Sequence, residues 1–154
     1  MNNNAIGNFP DIPQSHASDA EWVSWANAWP TLAPLGLKCT ALRVGEAVFE
    51  VAGDPFVPNP NGAVNGGAVA AMADQAMGVV GARSCEPGTL PRTGSLHLQF
   101  HRPVRAPFTM VVSQLPGGRR VQFIEVLFRD AEGIRCASAQ GTMVVAGSAG
   151  VAST

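Results

Sequence analysis

Read from the N-terminus, the hydrophobic pattern first becomes regular at Trp22, Trp25 and Trp29, an i, i+3, i+7 spacing that puts three indoles on one side of a short helix. Ser18-Asp-Ala-Glu21 just ahead of it reads as a capping box, and Pro30 marks the helix end. The tryptophan stripe is expected to pack rather than to cage a ligand, because helical spacing turns all three toward one buried side. Apolar positions then recur over Leu37 to Leu42 and Ala47 to Val51, predicting two strands around the turn Val44-Gly45-Glu46. Between Gly53 and Gly67, proline, asparagine and glycine break every period, so a loop is expected. Helical spacing returns from Ala68 to about Arg83, with Val69, Met72, Ala73, Ala76, Met77 and Val80 forming a stripe among small neighbours. A helix this apolar is predicted to be buried nearly all round.

After a second loop, Cys85 to Pro91, alternation takes over. In Thr93 to His101 it puts Leu96, Leu98 and Phe100 on one face, and Thr93, Ser95, His97, Gln99 and His101 on the other. Phe108 to Leu115, Val121 to Arg129 and Ile134 to Val145 continue the run, with turns at Gly117-Gly118 and Glu132-Gly133. The order is a short N-terminal helix, two strands, one long apolar helix, then antiparallel strands. It predicts an α+β fold whose sheet curls around a central helix. Such a sheet keeps an outer face and open edges, and dimerisation is the simplest way to cover them. No repeat or interdomain linker interrupts the pattern. The expected division is a loosely ordered arm (1–17), one domain (18–146) and a flexible tail (147–154).

Composition narrows the class. Hydrophobic residues make up 46% and charged ones 14%, which excludes a disordered chain and suggests apolar surface covered by a partner subunit. The formal net charge of -1 gives no overall attraction to nucleic acid or to an anionic membrane, so an anion site requires a local cluster. No apolar run reaches membrane-spanning length. The opening residues lack the basic and apolar regions of a signal peptide. Cys39, Cys85 and Cys136 are odd in number and outside any zinc-like spacing, so free thiols in a reducing cytoplasm are expected, those of Cys39 and Cys136 buried.

The chemistry concentrates between Asn59 and Asp74. The pair Gly66-Gly67 at a helix start leaves backbone N–H groups with no side chain in front of them. The helix dipole makes that end attractive to an oxyanion or a polarised carbonyl. Asp74 lies two turns on, among alanine, methionine, valine and glycine. An unpartnered carboxylate there costs several kcal/mol, so it either faces a polar interface or acts; a solvent-facing role beside Gln75 is the bland alternative.

Three blocks carry a resemblance. Asn65-Gly66-Gly67 with Asp74 seven residues after the second glycine is similar to a His-Gly-Gly signature followed by an acid. Thr93-Gly-Ser-Leu-His-Leu-Gln-Phe-His-Arg-Pro103 resembles a Thr-x-x-Leu-x-x-x-Phe-x-Arg-Pro strand. Gly118-Arg-Arg, then alternating Val121, Phe123, Glu125 and Leu127, then Asp130-Ala-Glu-Gly133, resembles a later hairpin. In this order they resemble the hotdog-fold acyl-CoA thioesterases of the phenylacetic-acid-degradation type, within the 4-hydroxybenzoyl-CoA thioesterase-like superfamily. The likeness runs from about Leu37 to Val145.

The resemblance implies a hotdog fold and hydrolysis of an acyl- or aryl-CoA in a homodimer or homotetramer with sites shared between subunits. Coenzyme A is part of the substrate, and no cofactor or metal is implied. The Gly66 N–H would polarise the thioester carbonyl, with Gly67 beside it contacting substrate. Asp74 would act as nucleophile or as general base. Asn59 would hold the attacking water, and Thr93 would approach the catalytic carboxylate from the partner subunit. Asn65 departs from the family histidine: it can donate a hydrogen bond but cannot take up a proton as imidazole does. Arg119 and Arg120, and less directly Arg102 and Arg105, are either solvated or an anchor for the coenzyme A phosphates. His97 and His101, roughly 13 Å apart by strand rise, are expected to make surface or interface hydrogen bonds. The second functional reading is a non-catalytic acyl-CoA or lipid-binding hotdog module, to which Asn65 lends support. A hotdog dehydratase would need a histidine at the helix start.

Overall fold

A computed structural model describes residues 9–145; Met1–Asn8 and the stretch from Ala146, with the expected tail, lie outside the described residues. Helix α1 spans Asp19–Asn27 and is capped as its sequence indicates: the Ser18 hydroxyl accepts from the Glu21 N–H, and Glu21 accepts from the Ser18 N–H at 2.8 Å. That bond lowers the Glu21 carboxyl below its ordinary range. Trp22, Trp25 and Trp29 stack edge to face, with ring centroids 5.1 and 5.0 Å apart. Two described residues of the arm touch this stripe. Phe9 packs edge-on against Trp29, and the Trp25 indole donates to the Pro10 carbonyl.

Strands β1 (Leu37–Arg43) and β2 (Glu46–Val51) lead to helix α2 (Gly66–Arg83), followed by β3 (Pro91–Phe100), β4 (Phe108–Leu115), β5 (Val121–Asp130) and β6 (Arg135–Val145). The six strands form one antiparallel sheet in the order β1-β2-β4-β5-β6-β3. It curls around α2, which is the hotdog arrangement. Val69, Met72, Ala76, Met77 and Val80 of α2 are fully buried in one core with Phe49, Met110, Ile124 and Phe128 of the sheet. Removing their apolar surface from water is the main stabilising term, on the order of 1.5–3 kcal/mol for each large side chain.

Two expectations about α2 change. It begins at Gly66, two residues early, because Asn65 acts as its N-cap: Oδ1 accepts the Gly67 N–H at 2.9 Å. It is also not buried all round. Gly67, Ala70, Ala71, Asp74, Gln75 and Gly78 make a stripe at helical spacing that stays partly accessible.

The two sheet edges differ. On β1 the side-chain amide of Asn27 exchanges two hydrogen bonds with the Cys39 backbone, each 2.9 Å, and so imitates a neighbouring strand. No described residue pairs with the outer edge of β3. β3 also contains a bulge: Thr93 pairs with Met143 but Ser95 with Thr142, so Gly94 is the extra residue. Strict alternation puts Thr93 on the face of Ser95 and His97. The bulge reverses that and turns Thr93 inward to α2.

Candidate active site

The site is built along the open face of α2. At its start, the Gly66 N–H has no acceptor among the described residues, while the Gly67 N–H is taken by the Asn65 cap. A Cβ at Gly66 would sit 3.3 Å from the Phe100 ring, which would have to give slightly to admit it. Asn65, where the resemblance implies a histidine, caps the helix and leaves the Gly66 N–H available.

Two turns on, Asp74 is half-buried and held from two sides. Thr93 Oγ1 donates to Oδ1 at 2.6 Å, and Gln75 Nε2 lies 3.4 Å from Oδ2. The Thr93 contact comes from the same chain, not from a partner as the resemblance implied; the Gly94 bulge makes it possible. Among the described residues no group of three histidine, cysteine or acidic side chains is placed to hold a metal ion.

Helix and strand run antiparallel past each other. Phe100 touches Gly66, Thr93 meets Asp74, and Pro91 lies against Gly81. Asp74 lies eight positions after Gly66 on α2, about 12 Å at the helical rise. A carbonyl bond is about 1.2 Å long, so a thioester whose oxygen meets the Gly66 N–H does not reach the Asp74 carboxylate of the same chain directly.

Clefts flank the helix start. One, of about 380 Å³, is lined by Asn59, Asn61, Gly66, Phe100, His101 and Arg102. The other, of about 420 Å³, is apolar, with Leu35, Phe56, Val57, Ala68 and Ala71 in its walls. Asn59 spends its carbonyl oxygen on the loop, accepting from the Asn61 and Ala63 N–H groups, which leaves only its amide for a water. Arg105 clasps the same loop through the Asn61 and Gly62 carbonyls. Arg102 stands on the cleft wall. Arg119 and Arg120 are elsewhere: the Arg120 carbonyl accepts from Val145, the partner of Pro91, at the far end of α2. Within one chain the arginine pair and the glycine pair do not meet. His101 bonds the Ser138 hydroxyl at 3.0 Å, and His97 is exposed on β3.

Sequence reasoning missed Thr31 and the part played by Gln75. Thr31 Oγ1 donates to Gln75 Oε1 at 2.6 Å across 44 positions of sequence. No motif or period marks Thr31. Phe100, against Gly66, was legible only as part of the Leu96, Leu98 and Phe100 strand face and as the phenylalanine of the Thr93 to Pro103 block.

A curled antiparallel sheet around one long helix, with a free N–H at the helix start, is the architecture of a hotdog-fold thioester hydrolase. The chain belongs to the thioesterase superfamily, which matches residues 61–137, half of its length. A thioesterase family protein from Silicibacter pomeroyi superposes with a TM-score of 0.72 at 20% identity, over 83% of this chain and 98% of its own. The PaaI protein of the Escherichia coli phenylacetic acid degradation operon gives 0.67 at 17% identity, over 82% and 94%. The acetyl-CoA-bound smu.793 protein of Streptococcus mutans gives 0.64 at 18%, over 72% and 89%. At such identities the likeness speaks for the fold. No curated protein matches the sequence.

Proposed function

We propose that this chain hydrolyses an acyl- or aryl-CoA to the free acid and coenzyme A. One observation carries the reading: a helix-start N–H without an acceptor and, two turns on, a carboxylate held by Thr93, both on the accessible side of α2. The thioester oxygen accepts the Gly66 N–H, where the helix dipole favours the negative charge that develops during attack. Asp74 then acts in one of two ways. As a base it takes a proton from water, the hydroxide adds to the carbonyl carbon, and the C–S bond breaks to release coenzyme A thiolate. As a nucleophile its oxygen forms an anhydride as the thiolate leaves, and water cleaves the anhydride. Thiolate is a good enough leaving group that one carboxylate and one donor suffice for either route.

The separation of about 12 Å along α2 supports a site made by two copies, Gly66 of one meeting Asp74 of the other. The open β3 edge suits that assembly. Two-fold antiparallel pairing there brings the Phe100 end of one strand beside the Thr93 end of its mate. It also brings Arg119 and Arg120 of one subunit to the mouth that holds Arg102 of the other, and three guanidinium groups suit the coenzyme A phosphates. The apolar cleft beside Gly67 takes the acyl group, aryl or medium-chain. Three free thiols fit a cytoplasmic setting.

The test is thiol release from a panel of aryl, short, medium and long acyl-CoAs, comparing wild type with Asp74→Asn. A loss of at least ~100-fold in kcat with the fold intact supports the enzyme. Wild type that binds acyl-CoA without hydrolysing it favours the binding module instead. The observation behind that second reading is Asn65, whose oxygen is committed to the cap.

A further inference from the structure

The segment between α1 and β1 lies outside the superfamily match, yet it reaches the open face of α2 through Thr31. Thr31 donates to Gln75 Oε1 at 2.6 Å, Gln75 Nε2 faces Asp74 Oδ2 at 3.4 Å, and Thr93 donates to Asp74 Oδ1 at 2.6 Å. We propose that Thr31 and Gln75 are a positioning pair for Asp74. Thr31 sets which way round the Gln75 amide lies, and the amide so held keeps the Asp74 carboxylate in its reactive orientation.

The polarity of the groups supports this. A side-chain amide has a donor end and an acceptor end, and a hydroxyl accepts either. An ionised carboxylate accepts only, so it tolerates just the NH₂ end of Gln75. That choice points Oε1 at Thr31, whose hydroxyl then must donate. Both neighbours of the amide therefore select the same orientation. Consecutive side chains on a helix diverge by about 100° and do not normally face each other. Gln75 meets Asp74 because something outside the helix restrains its far end, and the bond from Thr31 is that restraint. Without it the amide is free to swing away, or to turn its oxygen toward the carboxylate. Asp74 is then held by Thr93 alone and rotates about its last torsion.

This inference rests on the catalytic reading of Asp74, and the experiment separates the two. Steady-state kinetics on the full chain, with the acyl-CoA that wild type hydrolyses fastest, compare Thr31→Val, Thr31→Ser, Gln75→Leu and the double variant Thr31→Val/Gln75→Leu. Thr31→Val and Gln75→Leu should each lower kcat about 5- to 20-fold with KM within about twofold, as for groups that matter only in the transition state. Thr31→Ser, which keeps the donor, should stay within about twofold of wild type. The double variant should be no worse than Gln75→Leu, because Thr31 acts only through Gln75. Wild-type kcat in Thr31→Val, a Tm loss without a kcat loss, or two losses that multiply in the double variant would each overturn the pair. If Asp74→Asn is inactive while Thr31→Val is unimpaired, only the positioning role fails. If Asp74→Asn turns over like wild type, the catalytic reading fails and the pair falls with it.

Discussion

Asn65 and Cys39 show how a single side chain acquires its role from its surroundings. In a sequence, Asn65 is a departure from a histidine; in the fold, its oxygen meets one glycine N–H and leaves the adjacent one free. Cys39 is 1% exposed on β1, and burial pushes its thiol up from 9.0 to about 11. The consequence for stability has a definite sign. Between those two values the unfolded chain has lost the proton and the folded chain keeps it, so folding stability is whole below about pH 9 and declines as pH rises toward 11. Thermal melts stepped through that window should show Tm falling in wild type and falling less in Cys39→Ala. Parallel curves for the two proteins would mean that Cys39 does not contribute. Burial also raises Cys85 and Cys136.

At the scale of elements, the contrast between the sheet edges decides what the sheet can join. Asn27 satisfies both backbone groups of Cys39 and blunts β1, whereas the outer side of the ten-residue β3 is unpaired among the described residues. Asn27→Ala removes two hydrogen bonds that link α1 to the sheet. It should cost roughly 1–2 kcal/mol, which for a chain of this size lowers Tm by about 2–8 °C. A melt within 1 °C of wild type would show that water replaces the amide at no cost. The Gly94 bulge is the other element-scale device. One extra residue in β3 reverses the facing of Thr93 and supplies the 2.6 Å bond to Asp74.

For the whole molecule the decisive quantity is the separation of about 12 Å between Gly66 and Asp74 on one helix. A site shared across a two-fold predicts complementation between two inactive variants. Asp74→Asn removes the carboxylate. Gly66→Pro removes the N–H at the first helical position, where proline is well accepted, and Asn65 at ψ 131 already has the extended backbone that a residue before proline needs. The Phe100 ring that a Cβ would approach is 49% exposed and free to move. Each variant alone should lose at least ~100-fold in kcat. Co-expressed in equal amounts they should recover about one quarter of wild-type activity, since half of randomly formed dimers are mixed and each mixed dimer has one intact site of two. No recovery would place both groups of a working site on one chain.

The sequence by itself determined the element order, the central helix and the glycine-to-aspartate spacing. These are local matters: periods of 3.6 and 2 are written in neighbouring residues, and a helix fixes the distance between two of its own positions. The tertiary structure alone decided which side of α2 stays open, that Arg102 rather than Arg119 and Arg120 shares the cleft with Gly66, and that Thr31 reaches Gln75. It also moved Thr93 from a partner's contribution to the same chain's. Each of these depends on how distant segments are brought together, on a sheet's curl or on one unpaired residue in a strand, and none leaves a repeating mark along the chain. Asp74 was visible from the start as a carboxylate in an apolar helix; the groups that hold it were visible only once the chain had folded.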